Sequence, residues 1–385
     1  MSHLDWINSY GFLGIRLFDL PSLLICLLLI LMYGYKKKVS YNYQLILALH
    51  CLLPYLLNGV LFDPIYMPDQ FKYLRGVSAI RSGDISFIDA LKDPGNVLQA
   101  SAFLAVLPFP PPVTVISVGF YNTFIYIVLF FILYTNKIFT RLSIWFFLLF
   151  PSAALYSALS LRETLIFFFM ILAVLYARKS NLLLTIICLI PLYMIKFQNF
   201  FILAPIVLIY FLFKVSKHGM GIGKAFLISL ISLVGLLLSA PIAIPLINKF
   251  RVSMFVEDGG SIEDVQLITG ALDFIFQGIF SGIYFLAKPL IWEAQGFLPL
   301  IQSIENAFVL FFLFLITKQA WKKTPDRLAF WLLYLALSMS VYGLVVFNYG
   351  TAVRYRYPLI MIYVLFVCAD CNIQKLFPKK LNRIR

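Results

Sequence analysis

The chain has 385 residues, of which 62% are hydrophobic and 12% charged, and its mean hydropathy is +0.92. A soluble domain carries about a quarter charged residues, so water is excluded as the main solvent. The net charge of +14 comes without a soluble basic patch interleaved with aromatics, which argues against nucleic acid and for membrane topology and contact with anionic lipid.

A helical span needs about 17 to 25 mostly apolar residues, and the chain offers such stretches repeatedly. In order they fall near 18–35, 42–62, 113–135, 142–158, 161–177, 181–196, 198–213, 225–246, 299–317, 328–347 and 355–371. This predicts an all-α, polytopic transmembrane bundle of about eleven spans, forming a single integral membrane domain over 1–385. Residues 20–33 run into Lys36, Lys37 and Lys38 without a small-residue cleavage site, so the first helix reads as retained. Residues 98–110 are too short to cross and meet Pro108, Pro110, Pro111 and Pro112, the pattern of a re-entrant or interfacial helix. The two long connectors, 63–112 and 247–298, are expected to hold short helices of that kind. No internal repeat suggests an inverted-repeat transporter.

Orientation follows from the cations, because loops rich in Lys and Arg resist translocation. Lys137 with Arg141, Arg178 with Lys179, Lys214 with Lys217 and Lys224, Lys318 to Arg327, and the tail from Lys375 to Arg385 mark alternate connectors. The expectation is an external N-terminus, a cytoplasmic C-terminus and both long connectors outside. Function usually sits where the sizeable loops are.

The informative residues are cations that break this sorting: Arg162, Lys196, Arg354 and Arg356, each at the end of a predicted span on the external side. One such residue can snorkel to headgroups, whereas four on one face call for anionic partners. In the first external loop, Asp69, Lys72, Tyr73 and Gly76 recur at helical spacing, so Asp69 and Tyr73 are expected on one helix face, near Arg75. Asp69 suits a general base on a sugar hydroxyl, or an ion pair with Lys72 or Arg75. In PSAALYSALSLRETL, Ser160 and Glu163 have capping-box spacing, which competes with a catalytic role for Glu163. Arg162 sits in the same first turn, where the helix dipole disfavours a cation, and an Arg beside free amides receives phosphate well.

Lys196, Gln198 and Asn199 fall at a tight turn between two apolar helices, where Lys suits a diphosphate and the amides suit sugar hydroxyls. Glu257, Asp258, Glu263 and Asp264 read as a solvated acidic stretch without calcium-loop spacing. Lys288, Pro289, Trp292 and Glu293 precede the span that holds Glu305 about two turns inside its end, as a buried partner for a cation or part of a site. Arg354 and Arg356 flank Tyr355 after Gly350, either as an interfacial belt or as two forks that take phosphate bidentately.

His3, His50 and His218 are scattered and Cys368 with Cys371 is half a knuckle, so no metal is expected. No phosphate-cradling glycine loop appears, and no cofactor is expected.

The order of PDQFKYLRG, PSAALYSALSLRE, KPLIW followed by Glu305, and GTAVRYRYP resembles the bacterial O-antigen and capsule repeat-unit polymerases, within or near the C-type superfamily of membrane glycosyltransferases. The likeness covers most of the chain as a pattern. It implies a glycosyltransferase of the bacterial inner membrane that joins undecaprenyl-diphosphate-linked oligosaccharides at the periplasmic face, with a chain-length regulator and a flippase as partners. Arg162, Lys196, Arg354 and Arg356 would hold the diphosphate, and Asp69 or Glu163 would deprotonate the acceptor. Asp69 lacks a second neighbouring acid, a departure that favours metal-free chemistry. A single-sugar transferase using polyprenyl phosphate and a lipid-linked oligosaccharide flippase stay open as alternatives.

Overall fold

The computed structural model describes residues 17–257 and 259–374. His3, Asp258 and the tail cations Lys375, Lys379, Lys380, Arg383 and Arg385 lie outside the described residues. Among those described there is no strand. The helices are α1 (Leu20–Lys36), α2 (Tyr41–His50), α3 (Leu53–Leu57), α4 (Asp69–Ser82), α5 (Phe87–Lys92), α6 (Asn96–Ala105), α7 (Val115–Thr135), α8 (Arg141–Leu149) and α9 (Pro151–Ala158). There follow α10 (Glu163–Arg178), α11 (Leu182–Ile195), α12 (Phe197–Phe213), α13 (Val215–His218), α14 (Ile222–Glu257), α15 (Ala271–Ala287), α16 (Phe297–Lys323), α17 (Pro325–Val345) and α18 (Tyr349–Asp370).

Four helices, α7, α16, α17 and α18, are long and apolar enough to cross a membrane, and the pair α8 and α9, bent by 49°, makes a fifth if taken as one span. The eleven predicted spans therefore resolve into four or five helices of crossing length plus shorter apolar ones. Hydropathy counts residues but not breaks. The expected span 42–62 divides into α2 and α3, and the expected spans 181–196 and 198–213 become helices of 14 and 17 residues carrying Pro191 and Pro205. The span expected to end at 246 instead continues through Pro241 and Pro245 to Glu257. Helices do occupy both long connectors: α4 to α6 in 63–112, and the end of α14 with α15 in 247–298.

The chain clusters into two compact units, one of residues 1–137, 148–173 and 183–201, the other of 138–147, 174–182 and 202–385. In the first, α7 is the central helix, with α1, α3, α4 and α9 packed on it. It is apolar all round, as a helix buried on every side must be, and 83% of its most apolar 18 residues are buried. Its start is closed reciprocally: Thr114 Oγ1 accepts from the amides of Ile116 and Ser117, and Ser117 Oγ accepts from the Thr114 amide. The buried Asp19 carboxylate then accepts from the Thr114 and Ser117 hydroxyls at 2.6 and 2.5 Å, tying α1 to that start.

In the second unit, α15 packs against α17 with backbones in contact, and α17 also lies against α14, α16 and α18. Gly282 and Gly343 make this possible, since a Cβ on Gly282 would stand 2.9 Å from the Ser340 backbone and one on Gly343 would meet the Ser281 carbonyl. Small residues at a crossing supply close packing where lipid removes the hydrophobic drive between helices. The far end of this unit is knotted by Asp370. Its Oδ2 accepts from Tyr210 Oη at 2.9 Å and Trp331 Nε1 at 3.1 Å, and its Oδ1 lies 3.3 Å from Arg178 Nη2. Arg327 Nη1 donates to the Asp370 carbonyl at 2.6 Å. The five cysteines are free and buried.

Candidate functional site

In the first unit the chain unwinds over residues 159–162 between α9 and α10. Irregular backbone in apolar surroundings survives only if its polar groups find partners. Asn122 Nδ2, from the middle of α7, donates to the carbonyls of Leu159 and Leu161, both at 2.6 Å. The Ser160 amide donates to Gln70 Oε1 at 3.1 Å, Gln70 Nε2 to Asn58 Oδ1 at 3.0 Å, and Asn58 Nδ2 to the Pro54 carbonyl at 3.2 Å. The Ser160 hydroxyl donates to the Val115 carbonyl.

This arrangement corrects the capping-box reading. The amide of Ile166 bonds to the Arg162 carbonyl, so the helix opens at Glu163 and Ser160 stands two residues ahead of the cap position. Glu163 is buried in the first turn, the end of the helix dipole that favours a carboxylate.

Arg162 is 9% exposed and donates from Nη1 to the Ile195 carbonyl at 3.1 Å, while its Nε is buried without a hydrogen bond. Lys196, the next residue after that carbonyl, is buried as the single non-helical residue between α11 and α12. Arg162 thus reaches from the start of α10, beside Glu163, to the carbonyl that immediately precedes Lys196. Asn199 is buried with Nδ2 3.1 Å from Met170 Sδ, a contact within the protein, and Gln198 is half-buried.

The first long connector departs from expectation. Asp69 Oδ1 and Lys72 Nζ pair at 2.8 Å with side chains 38% and 56% exposed, whereas Tyr73 is buried, so Asp69 and Tyr73 do not share an open face. Arg75 is exposed and returns its Nε to the Phe71 carbonyl at 3.3 Å. Of the open alternatives for Asp69, the ion pair is the one present. Arg81, which the sequence did not single out, donates to the carbonyls of Ala105, Leu107, Phe109 and Pro110 and lies 5.1 Å over the Tyr121 ring, fastening the proline-rich connector.

In the second unit a different set of cations occupies a corner of helix ends. The last carbonyls of a helix have no partner within it. Those of Phe285, Leu286 and Lys288, at the close of α15, accept from Arg356 Nη1 at 2.8, 2.9 and 2.7 Å, and that of Ala287 accepts from Asn306 Nδ2. Lys288 Nζ in turn donates to the Val346 carbonyl at 2.6 Å, just past α17, and Arg251 Nη1 to that of Leu344 at 2.6 Å.

Arg354 and Arg356 therefore do not form a double fork. Residues two apart on a helix point to nearly opposite sides, and while Arg356 turns inward to the end of α15, half-buried Arg354 lies 5.9 Å over the Tyr355 ring. Glu305 is half-buried two turns into α16, as its spacing predicts. Asn122, Gln70 and Lys288 were missed as organisers, although an amide inside a 21-residue apolar helix is itself a signal.

The site of the first unit places the buried Arg162 and Glu163 at a helix start, against the backbone just before the buried Lys196. Comparison with protein families, curated proteins and solved structures finds no match to the chain.

Proposed function

We propose that the chain is a glycosyltransferase of the bacterial inner membrane that polymerises undecaprenyl-diphosphate-linked oligosaccharide repeat units at the periplasmic face. In this reading the shorter apolar helices complete a topology of about eleven crossings, and Arg162 and Lys196 lie toward the outer leaflet. The observation that carries the reading is that Arg162, beside Glu163, donates to the carbonyl immediately before Lys196, with all three residues buried.

Arg162 and Lys196 hold the diphosphate of the donor, Arg162 offering its unspent Nε and Lys196 a compact charge. Glu163 accepts the proton of the acceptor hydroxyl as the acceptor oxygen bonds to the anomeric carbon. The bond from that carbon to the diphosphate breaks, and the diphosphate leaves with the electron pair, stabilised by the two cations. Gln198 and Asn199 line the sugar path. Asp69 with Lys72, together with Tyr73 and Arg75, belong to the loop that guides the acceptor, and Glu305 and Arg354 act at the second unit's corner, whose backbone Arg356 holds in place.

The test is polymerisation of a synthetic lipid-linked repeat unit by the purified chain in liposomes, together with the surface-polysaccharide ladder of a deletion strain carrying Arg162→Ala or Glu163→Gln. Long products from the native chain, lost in both variants at equal expression, support the reading. Single-unit addition points to the one-sugar transferase. Repeats trapped on the cytoplasmic leaflet in the deletion strain point to a flippase and overturn it.

A further inference from the structure

The lysine-rich end of α16 carries a groove of about 290 Å³ lined by Phe314, Thr317, Lys318, Trp321 and Lys322. These positions follow the spacing that puts residues on a single stripe of a helix. The Thr317 hydroxyl is 2.8 Å from Tyr363 Oη, holding the inner edge of the stripe against α18, while Phe314 and Trp321 are 59% and 53% exposed. Only 28% of the most apolar 18 residues of α16 are buried, so this helix turns most of its apolar surface away from the protein.

Two features select the occupant. Lys318 folds back with Nζ 5.7 Å from the Phe314 ring, and Lys322 follows one turn on, so two positive charges meet an aromatic floor. The one acid of α16, Glu305, lies near its other end. Upstream, Phe308 and Phe311 continue the exposed apolar track that leads to Phe314. From Phe308 to Lys318 the helix rises about 15 Å, which is half of the roughly 30 Å hydrocarbon core of a bilayer. With Phe308 at mid-depth, both lysines stand at headgroup level.

We propose that this groove is a binding site for an anionic diacyl phospholipid, with its phosphate between Lys318 and Lys322 and an acyl chain along Phe314, Phe311 and Phe308. Lys323 is turned to a different task, donating to the Asn372 carbonyl at 3.4 Å, and so is not part of the pair.

Native mass spectrometry of the full chain, offered equimolar phosphatidylglycerol and phosphatidylcholine, reads the preference. The native chain is expected to retain phosphatidylglycerol about thirtyfold over phosphatidylcholine, the size expected of two lysines near an anionic headgroup. Lys318→Gln with Lys322→Gln should abolish the preference, and Lys214→Gln with Lys224→Gln should leave it. Equal loss in both pairs reduces the effect to net charge and overturns the site, as does displacement of the lipid by equimolar inorganic phosphate. A second reading needs no lysine variant: brominated phosphatidylglycerol should quench the fluorescence that Trp321→Phe removes more strongly than brominated phosphatidylcholine does. Equal quenching by the two lipids overturns the proposal.

Discussion

Two regions of the molecule face the same physical problem and solve it with different side chains. At residues 159–162 the buried carbonyls and amide of an unwound segment are satisfied by neutral amides, Asn122 and Gln70, backed by Asn58. At residues 285–288 the open carbonyls are satisfied chiefly by a cation, Arg356. The consequence is a division of labour among buried charges. Where amides do the fastening, Arg162 keeps Nε uncommitted; where Arg356 does it, Nη1 is shared among three carbonyls. Position at a span end identified both arginines, and only the partners separate a residue available to a ligand from one built into the scaffold.

Substitutions can break this comparison. On the proposed function, the largest effect is expected from Arg162→Ala, which should lower kcat/KM for polymerisation about 10²- to 10³-fold, in the range for removing one donor to a developing charge, with a smaller loss of stability because only the Ile195 carbonyl is left open. Arg356→Met should do the reverse, costing about 2–4 kcal/mol of stability by leaving buried carbonyls open, as read by thermal unfolding in detergent. If Arg356→Met unfolds like the native chain, the contrast drawn between the two arginines fails.

Smaller changes sharpen the distinction. Asn122→Leu strands the carbonyls of Leu159 and Leu161 at a cost of about 1–3 kcal/mol, and should depress activity and stability together because the segment it holds carries Arg162. Lys137→Gly should stabilise by about 1 kcal/mol, since Lys137 sits at φ 56°, in the left-handed region where a Cβ is strained and glycine is not. Its melting midpoint should rise slightly with activity intact.

The sequence carried the helical class and the individual crossing helices well. Long apolar runs such as α7 and α17 announce themselves, and the expected placement of Lys196 in a tight turn and of Glu305 two turns inside its helix agrees with the structure. The number of crossings was less legible, because hydropathy does not register the break between α2 and α3 or the bend between α8 and α9. Within the site, residue type and spacing brought out Arg162 and Lys196 but not their shared carbonyl at Ile195, a contact 33 positions apart that no local pattern encodes. The Ser160 to Glu163 spacing misled for the opposite reason. A local motif was present, but tertiary partners from α4 and α7 had claimed the Ser160 amide and hydroxyl.

The capping of α15 also sets an order of events. Arg356 lies 71 positions beyond the Phe285 carbonyl that it satisfies, and ribosomes add about 5–20 residues per second. The end of α15 must therefore wait roughly 4–14 s at that rate, while α16 and α17 are made, before its partner exists. A chain halted after residue 345 should remain open to protease at 285–288, and one carried through α18 should not. Helix α18 is in this sense the clasp of the second unit, and until it arrives the end of α15 is left without its cap.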